Sequence, residues 1–62
     1  MKVKIKEYHG SLKDLSTDKV YEVIAVYNAS LVCILDDAGY FLVLHLPHCA
    51  HLNGGSWEIV ND

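Results

Sequence analysis

The stretch LVCIL-DDAG-YFLVL, residues 31–44, decides the fold class, because two short apolar runs flank a turn of polar and small residues. Asp37-Ala38-Gly39 fits a three-residue hairpin loop, in which Gly39 takes the left-handed backbone position that closes a type I turn with a bulge. Each run has the length of an ordinary strand and is too short for a helix. The stretch therefore predicts a β-hairpin and favours an all-β fold.

The chain has 62 residues, which is enough for one small domain with a thin core. Such a domain buries only about 60% of the surface of its unfolded chain, so we expect a small stability margin unless a disulfide, a metal or a second chain reinforces it. Cys33 and Cys49 allow one intramolecular disulfide. Residues 1–8 alternate lysines with apolar residues and do not resemble a secretory signal. We therefore expect reduced thiols and a cytoplasmic protein.

Charge and hydropathy argue against two classes of partner, DNA and membranes. The net charge is −3, with five lysines and no arginine. Arginine supplies the planar fork that most often reads guanine or phosphate, so its absence argues against specific DNA recognition. No apolar run approaches the roughly 18 to 20 residues that a membrane-spanning helix needs, and we expect no membrane contact.

Alternation and turn residues predict three further strands. Residues 3–8 alternate apolar residues with lysines, as a half-buried strand does, and residues 19–27 are rich in β-branched and aromatic residues. Between these strands, Leu12 and Leu15 are expected to fold back onto the core. A last strand is predicted at residues 56–60.

A proline separates the last two predicted strands. Pro47 lacks the N–H that a strand ladder needs, and residues 48–52 are long enough for one helical or 3₁₀ turn. The pattern predicts an all-β domain over residues 1–62: a small, partly open barrel of five strands with one short helical or 3₁₀ turn before the last strand. Closure of this kind hides strand edges.

The order of turns and core positions also resembles that of the small SH3-like barrel proteins of bacteria and their phages. The residues that carry the resemblance are Leu15, DKVYEV at 18–23, DDAG at 36–39, Pro47 and WEIV at 57–60. It covers residues 3–60 and implies a binding role for a phage or bacterial accessory protein. The chain departs from the pattern before Pro47, where similar proteins place Tyr or Trp and this chain has His45-Leu46. The aromatic groove of peptide-binding SH3 domains is therefore not expected.

Three of the four histidines and one cysteine lie within residues 45–51, and imidazole and thiolate are zinc ligands. The candidate ligands are His45, His48, Cys49 and His51, with His9 as a further choice. The spacing differs from the paired clasps of structural zinc sites, and adjacent His48 and Cys49 tend to point apart. A zinc-binding structural domain is thus one alternative; in the other, Cys49 is a small buried apolar residue and no cofactor is bound.

The same residues could form a Cys-His enzyme, with Cys49 as nucleophile and Asp36 or Asp37 orienting a histidine base. A barrel of this size leaves little room for a substrate cleft, and no long helix lowers a thiol pKa. Aspartates in a tight turn ordinarily bond nearby backbone. We therefore expect no enzymatic activity and no catalytic residue.

Lys2, Lys4 and Lys6 form the one basic stripe, and four tyrosines could stack on bases. Eight acidic residues oppose this interpretation. Lysines on a terminal strand also discourage edge-to-edge pairing. A nucleic-acid-binding barrel is kept as the second candidate function.

The hairpin strands are apolar on both faces, whereas a two-layer protein buries only one. The second face must be covered either by the loops at residues 12–15 and 48–52 or by another protein. We predict a non-enzymatic protein-interaction module, with self-association as the favoured form. The resemblance to phage proteins adds binding or inhibition of a host protein. The predicted interface residues are Val32, Ile34, Phe41 and Val43.

Overall fold

Two three-stranded antiparallel sheets form the fold in the computed structural model, which describes residues 1–61. The first sheet contains, in spatial order, β2 (Tyr21–Glu22), β1 (Lys2–Glu7) and β6 (Ser56–Val60). The second contains β3 (Ala25–Asn28), β4 (Leu31–Leu35) and β5 (Phe41–His45). One 3₁₀ turn, Ala50–Leu52, precedes β6. The predicted all-β class and the turn before the last strand are confirmed.

The predicted second strand, residues 19–27, is divided into β2 and β3. At the break, the Val23 N–H donates to the Met1 carbonyl and the Ile24 N–H donates to the Cys33 carbonyl, each at 2.9 Å. Consecutive residues thus bond to different sheets, and the chain crosses from one sheet to the other. The result is six strands in two sheets that are not closed on each other, so the predicted five-stranded barrel is not confirmed.

The core lies between the two sheets and is built from alternate residues of the strands. Leu12 and Leu15 fold onto it from the loop after β1, as predicted, and Leu52 of the 3₁₀ turn is fully buried. The Tyr21 ring packs edge-on against the Trp57 ring, with centroids 5.8 Å apart. The buried cluster consists of Val3, Ile5, Leu15, Tyr21, Val32, Ile34, Leu44, Leu46, Cys49, Leu52 and Trp57.

The β4–β5 hairpin has the predicted loop. Gly39 has φ of +85°, and its N–H donates to the Asp36 carbonyl at 3.0 Å. The Asp36 carboxylate accepts the N–H groups of Ala38 and Tyr40, each at 2.9 Å. These bonds satisfy the turn backbone locally, which explains why so short a sequence motif predicts the hairpin correctly.

Within residues 1–61, no helix has the length and apolar character that crossing a membrane would require. Both cysteines are free thiols and both are buried.

Candidate interaction surface

The second sheet has one face turned away from the core, and we call it the outer face. It consists of Leu31, Cys33 and Leu35 of β4 with His45, Val43 and Phe41 of β5, which stand opposite one another in that order. Their chain neighbours Val32, Ile34 and Leu44 point the other way and are 0% exposed. The alternation of a strand therefore divides the hairpin into a core face and an outer face.

Apolar side chains are exposed along the outer face. Phe41 is 75% exposed, Val43 46% and Leu35 42%, and the pairing of Leu35 with Phe41 makes them neighbours. Cys33 is only 5% exposed, and it lies between Ala25 of β3 and Val43 of β5. None of the six residues is a lysine or an acid and five of the six are apolar, so the face is mostly apolar.

The predicted interface is corrected in two of its four residues. Val32 and Ile34 lie in the core, on the opposite face from Phe41 and Val43, so the prediction was wrong for them. The length of the turn determines which residues of the two strands share a face. A loop of residues 37–39 pairs even-numbered with even-numbered residues across the hairpin, so Ile34 shares a face with Leu42 rather than with Phe41.

The two loops considered as covers for a second face lie on the core side. Leu15 and Leu52 belong to the buried cluster, and Leu12 packs against it. The outer face keeps its exposed residues in the presence of both loops. These loops therefore do not cover the apolar outer face.

The candidate zinc ligands are not brought together. Across the described residues, no three side chains of His, Cys, Asp or Glu are placed to share a metal ion. Cys49 is 1% exposed within the core, whereas His45, His48 and His51 are exposed. The metal-site hypothesis was therefore wrong about this geometry.

The basic stripe of β1 is interrupted by acidic partners. Lys2 stands opposite Glu22 of β2 and Lys4 stands opposite Glu58 of β6, with 3.4 Å between the Lys4 Nζ and Glu58 Oε1 atoms. Lys6 completes the stripe near the irregular pairing between Ile5 and Glu7. Opposite charges across the strands reduce the positive potential that a phosphate backbone would need.

Sequence reasoning missed the role of Asp37, which fastens the loop after β1 to the hairpin. Its carboxylate accepts bonds from the Ser16 hydroxyl at 2.7 Å, the Tyr21 hydroxyl at 2.8 Å and the Lys19 ammonium at 2.9 Å. The Asp37 N–H also donates to the Asp14 carbonyl at 2.8 Å. A turn aspartate is predicted to bond its own backbone, and nothing local in the sequence indicates partners this distant.

The three donors change the acid-base properties of this cluster. Hydrogen bonds from Lys19, Ser16 and Tyr21 lower the pKa of Asp37 from 3.8 to about 2. The bond to Asp37 raises the pKa of Lys19. Burial raises the pKa of the Tyr21 phenol, with the bond to Asp37 adding to it. The carboxylate is therefore stabilised in its charged form in the folded protein.

Replacing Asp37 with Asn should lower stability in a pH-dependent way. Because the folded pKa lies below the unfolded one, the Asp37 contribution is present above about pH 4 and is lost as the pH falls toward about 2. We expect Asp37→Asn to lower Tm by a few degrees at pH 6, and the difference from wild type to shrink toward pH 2. Thermal unfolding followed by circular dichroism measures both values.

Asp18→Asn is the matched control, since Asp18 is an exposed acid of the loop that Asp37 contacts. It should leave Tm unchanged at pH 6. A difference between wild type and Asp37→Asn that stays constant from pH 6 to pH 2 would contradict the carboxylate's role.

No protein-family model, curated protein or solved structure matches this chain.

Proposed function

We propose that this protein is a small non-enzymatic interaction module with an SH3-like architecture, and that it binds another protein through its outer face. The observation that carries the proposal is the 75% exposure of Phe41, next to Val43 and Leu35 on one sheet face. Contiguous exposed apolar surface on a small protein usually marks an interaction site. Aromatic residues are also enriched among the side chains that contribute most to binding.

The order of elements supports the SH3-like part of the proposal. Two antiparallel sheets are connected by a strand that breaks at residues 23–24, and a long loop separates β1 from β2. A tight hairpin joins β4 to β5, and a single 3₁₀ turn leads into the last strand. These features agree with the resemblance noted in the sequence. For a phage-type accessory protein, a host protein is the corresponding partner.

The exposed part of Phe41 is large enough to matter energetically. Burying three quarters of an aromatic side chain removes on the order of 110 to 190 Å² from water, which is worth about 3 to 5 kcal/mol before the costs of association. The backbone of β5 is already fixed by β4, so binding orders little of the chain. One residue can therefore dominate the interface.

Phe41→Glu should abolish binding without loss of folding. We expect at least a tenfold loss of captured partner, because the substitution places a charge at the centre of an apolar contact. The Tm should stay close to wild type, because Phe41 is mostly exposed in the folded chain. The measurement is affinity capture from bacterial lysate with the purified protein as bait, with quantitative mass spectrometry of the bound proteins.

Tyr8→Glu is the matched control, since Tyr8 is an exposed aromatic residue at 47% that lies outside the outer face. It should retain the proteins that wild type captures. If Phe41→Glu and Tyr8→Glu capture the same proteins in the same amounts as wild type, the outer face is not the binding surface.

A further inference from the structure

Two hydrogen bonds at the ends of the β4–β5 hairpin determine which backbone groups face outward. The Asp36 N–H donates to the Tyr40 carbonyl at 2.9 Å, and the Leu46 N–H donates to the Ser30 carbonyl at 2.8 Å. Bonded pairs alternate along an antiparallel ladder, so the even-numbered residues between these ends bond across the hairpin.

The odd-numbered residues therefore direct their backbone groups away from the hairpin partner. On β4 this is visible at Cys33, whose carbonyl accepts the Ile24 N–H on the β3 side at 2.9 Å. On β5 it applies to the N–H and C=O groups of Phe41, Val43 and His45. β5 is the last strand of its sheet in the part of the chain that is described, so these groups form an open edge.

This edge carries none of the usual protection against strand pairing. Natural edges are guarded by lysine, proline or a bulge. The β5 sequence FLVLH contains no lysine, no acid and no proline, and its pairing with β4 is regular throughout. The opposite edge strand of the same sheet, β3, is irregular between Val26 and Asn28. Of the two edge strands of this sheet, β5 is therefore the one whose free backbone groups can pair with another strand most regularly.

We propose that β5 pairs with β5 of a second copy of this chain, antiparallel and about a two-fold axis that passes beside Val43. The inference rests on the proposed function, and it uses the edge of the strand that carries Phe41 and Val43 rather than the outer face itself. A two-fold axis pairs a strand with itself only in the antiparallel direction. Val43 then stands opposite Val43 of the second copy, and Phe41 stands opposite its His45.

This register uses every outward group of the edge. Phe41, Val43 and His45 each donate one bond and accept one bond across the axis, while any shift by two residues leaves some of these groups without a strand partner. No like charges meet, because β5 has no lysine and no acid. The outer faces of the two copies join into one apolar surface, and Phe41 gains a neighbour across the strand pair.

The expected dimer is weak. Pairing along one five-residue strand buries less than the roughly 800 Å² per partner of a standard interface. We expect a dissociation constant in the micromolar range or weaker. Each copy also carries a net charge of −3, so salt should strengthen the dimer by screening repulsion.

Sedimentation velocity from about 1 µM to about 1 mM covers the dissociation constants of weak interfaces. Wild type should change from monomer to dimer over this range. Val43→Pro removes the central edge N–H without removing a bond to β4, and Val43→Lys places a charge on the edge. Both variants should stay monomeric. Val26→Lys is the matched control, because Val26 is 60% exposed on the opposite edge strand, and it should dimerise as wild type does.

Hydrogen exchange in wild type provides a readout that needs no variant to fold. The amides of Phe41, Val43 and His45 should exchange fast in dilute protein and slow down in concentrated protein, whereas those of Leu42 and Leu44 should be slow in both. A protein that stays monomeric at about 1 mM overturns the inference. So does a dimer that persists in Val43→Pro, or one whose edge amides are not protected.

These outcomes separate the inference from the proposed function. A dimer lost in Phe41→Glu but retained in Val43→Pro would indicate packing through the outer face, so the edge pairing would be wrong and the interaction surface would stand. Capture of the same lysate proteins by wild type and Phe41→Glu would remove the interaction surface whatever the oligomeric state.

Discussion

Gly55→Ala is expected to destabilise the protein strongly. A Cβ atom at this position would clash with the Glu7 carbonyl oxygen and would lie 2.7 Å from the Glu7 carbonyl carbon and 2.8 Å from the Tyr8 Cα atom. These are backbone atoms at the end of β1. The clash is therefore relieved only if the backbone at the end of β1 moves away from Gly55, which precedes β6. We expect a loss above about 3 kcal/mol, from a total stability on the order of 3 to 9 kcal/mol for a chain of this length.

The neighbouring glycine provides the control for this prediction. Gly54 has φ of +95°, and a Cβ there would meet nothing within 4 Å. Gly54→Ala should therefore cost only the backbone strain of the left-handed region, about 1 to 2 kcal/mol. Urea unfolding followed by tryptophan fluorescence measures both variants. Equal midpoints for the two variants would mean that β1 and Gly55 do not approach as described.

Ile34→Ala is expected to cost about 2 to 5 kcal/mol of unfolding free energy, because Ile34 is 0% exposed and its removal leaves a cavity in a thin core. Leu35→Ala is the matched control on the next residue of the same strand. Leu35 lies on the outer face with 42% exposure, so its truncation should cost less than about 1 kcal/mol. Both values come from the same urea titration.

This pair tests the division of the hairpin into two faces. If Leu35→Ala destabilises the protein as much as Ile34→Ala, then the outer face is packed against something in the folded monomer. Ile34 and Leu35 would then not lie on faces of different burial.

The elements that the sequence predicts correctly are those with local signals. The residues DDAG specify the hairpin because Asp36 and Gly39 satisfy the turn through bonds within five residues. The strand at residues 56–60 agrees with its predicted bounds, since a turn of asparagine and glycine precedes alternating residues. Leu12 and Leu15 are the large apolar residues within positions 9–19, and both fold onto the core.

The features that the sequence did not predict depend on distant partners. The break at Val23 and Ile24 exists because one residue bonds to Met1 and the next to Cys33, and neither partner is visible in a run of β-branched residues. Asp37 likewise bonds to a loop about twenty residues earlier. At the candidate site, both faces of the β4–β5 hairpin are rich in apolar residues. The alternation of side chains along a strand therefore does not indicate which face is buried.

The exposure of the outer face is tested most directly by the solvent accessibility of two valines on opposite faces of the same hairpin. A soluble gadolinium chelate broadens the methyl signals of exposed residues in an NMR spectrum. In dilute protein, we expect strong broadening at Val43, which is 46% exposed, and almost none at Val32, which is 0% exposed. Equal protection of the two valines in a dilute monomer would mean that the chain itself covers the outer face, and no exposed apolar surface would remain for a partner.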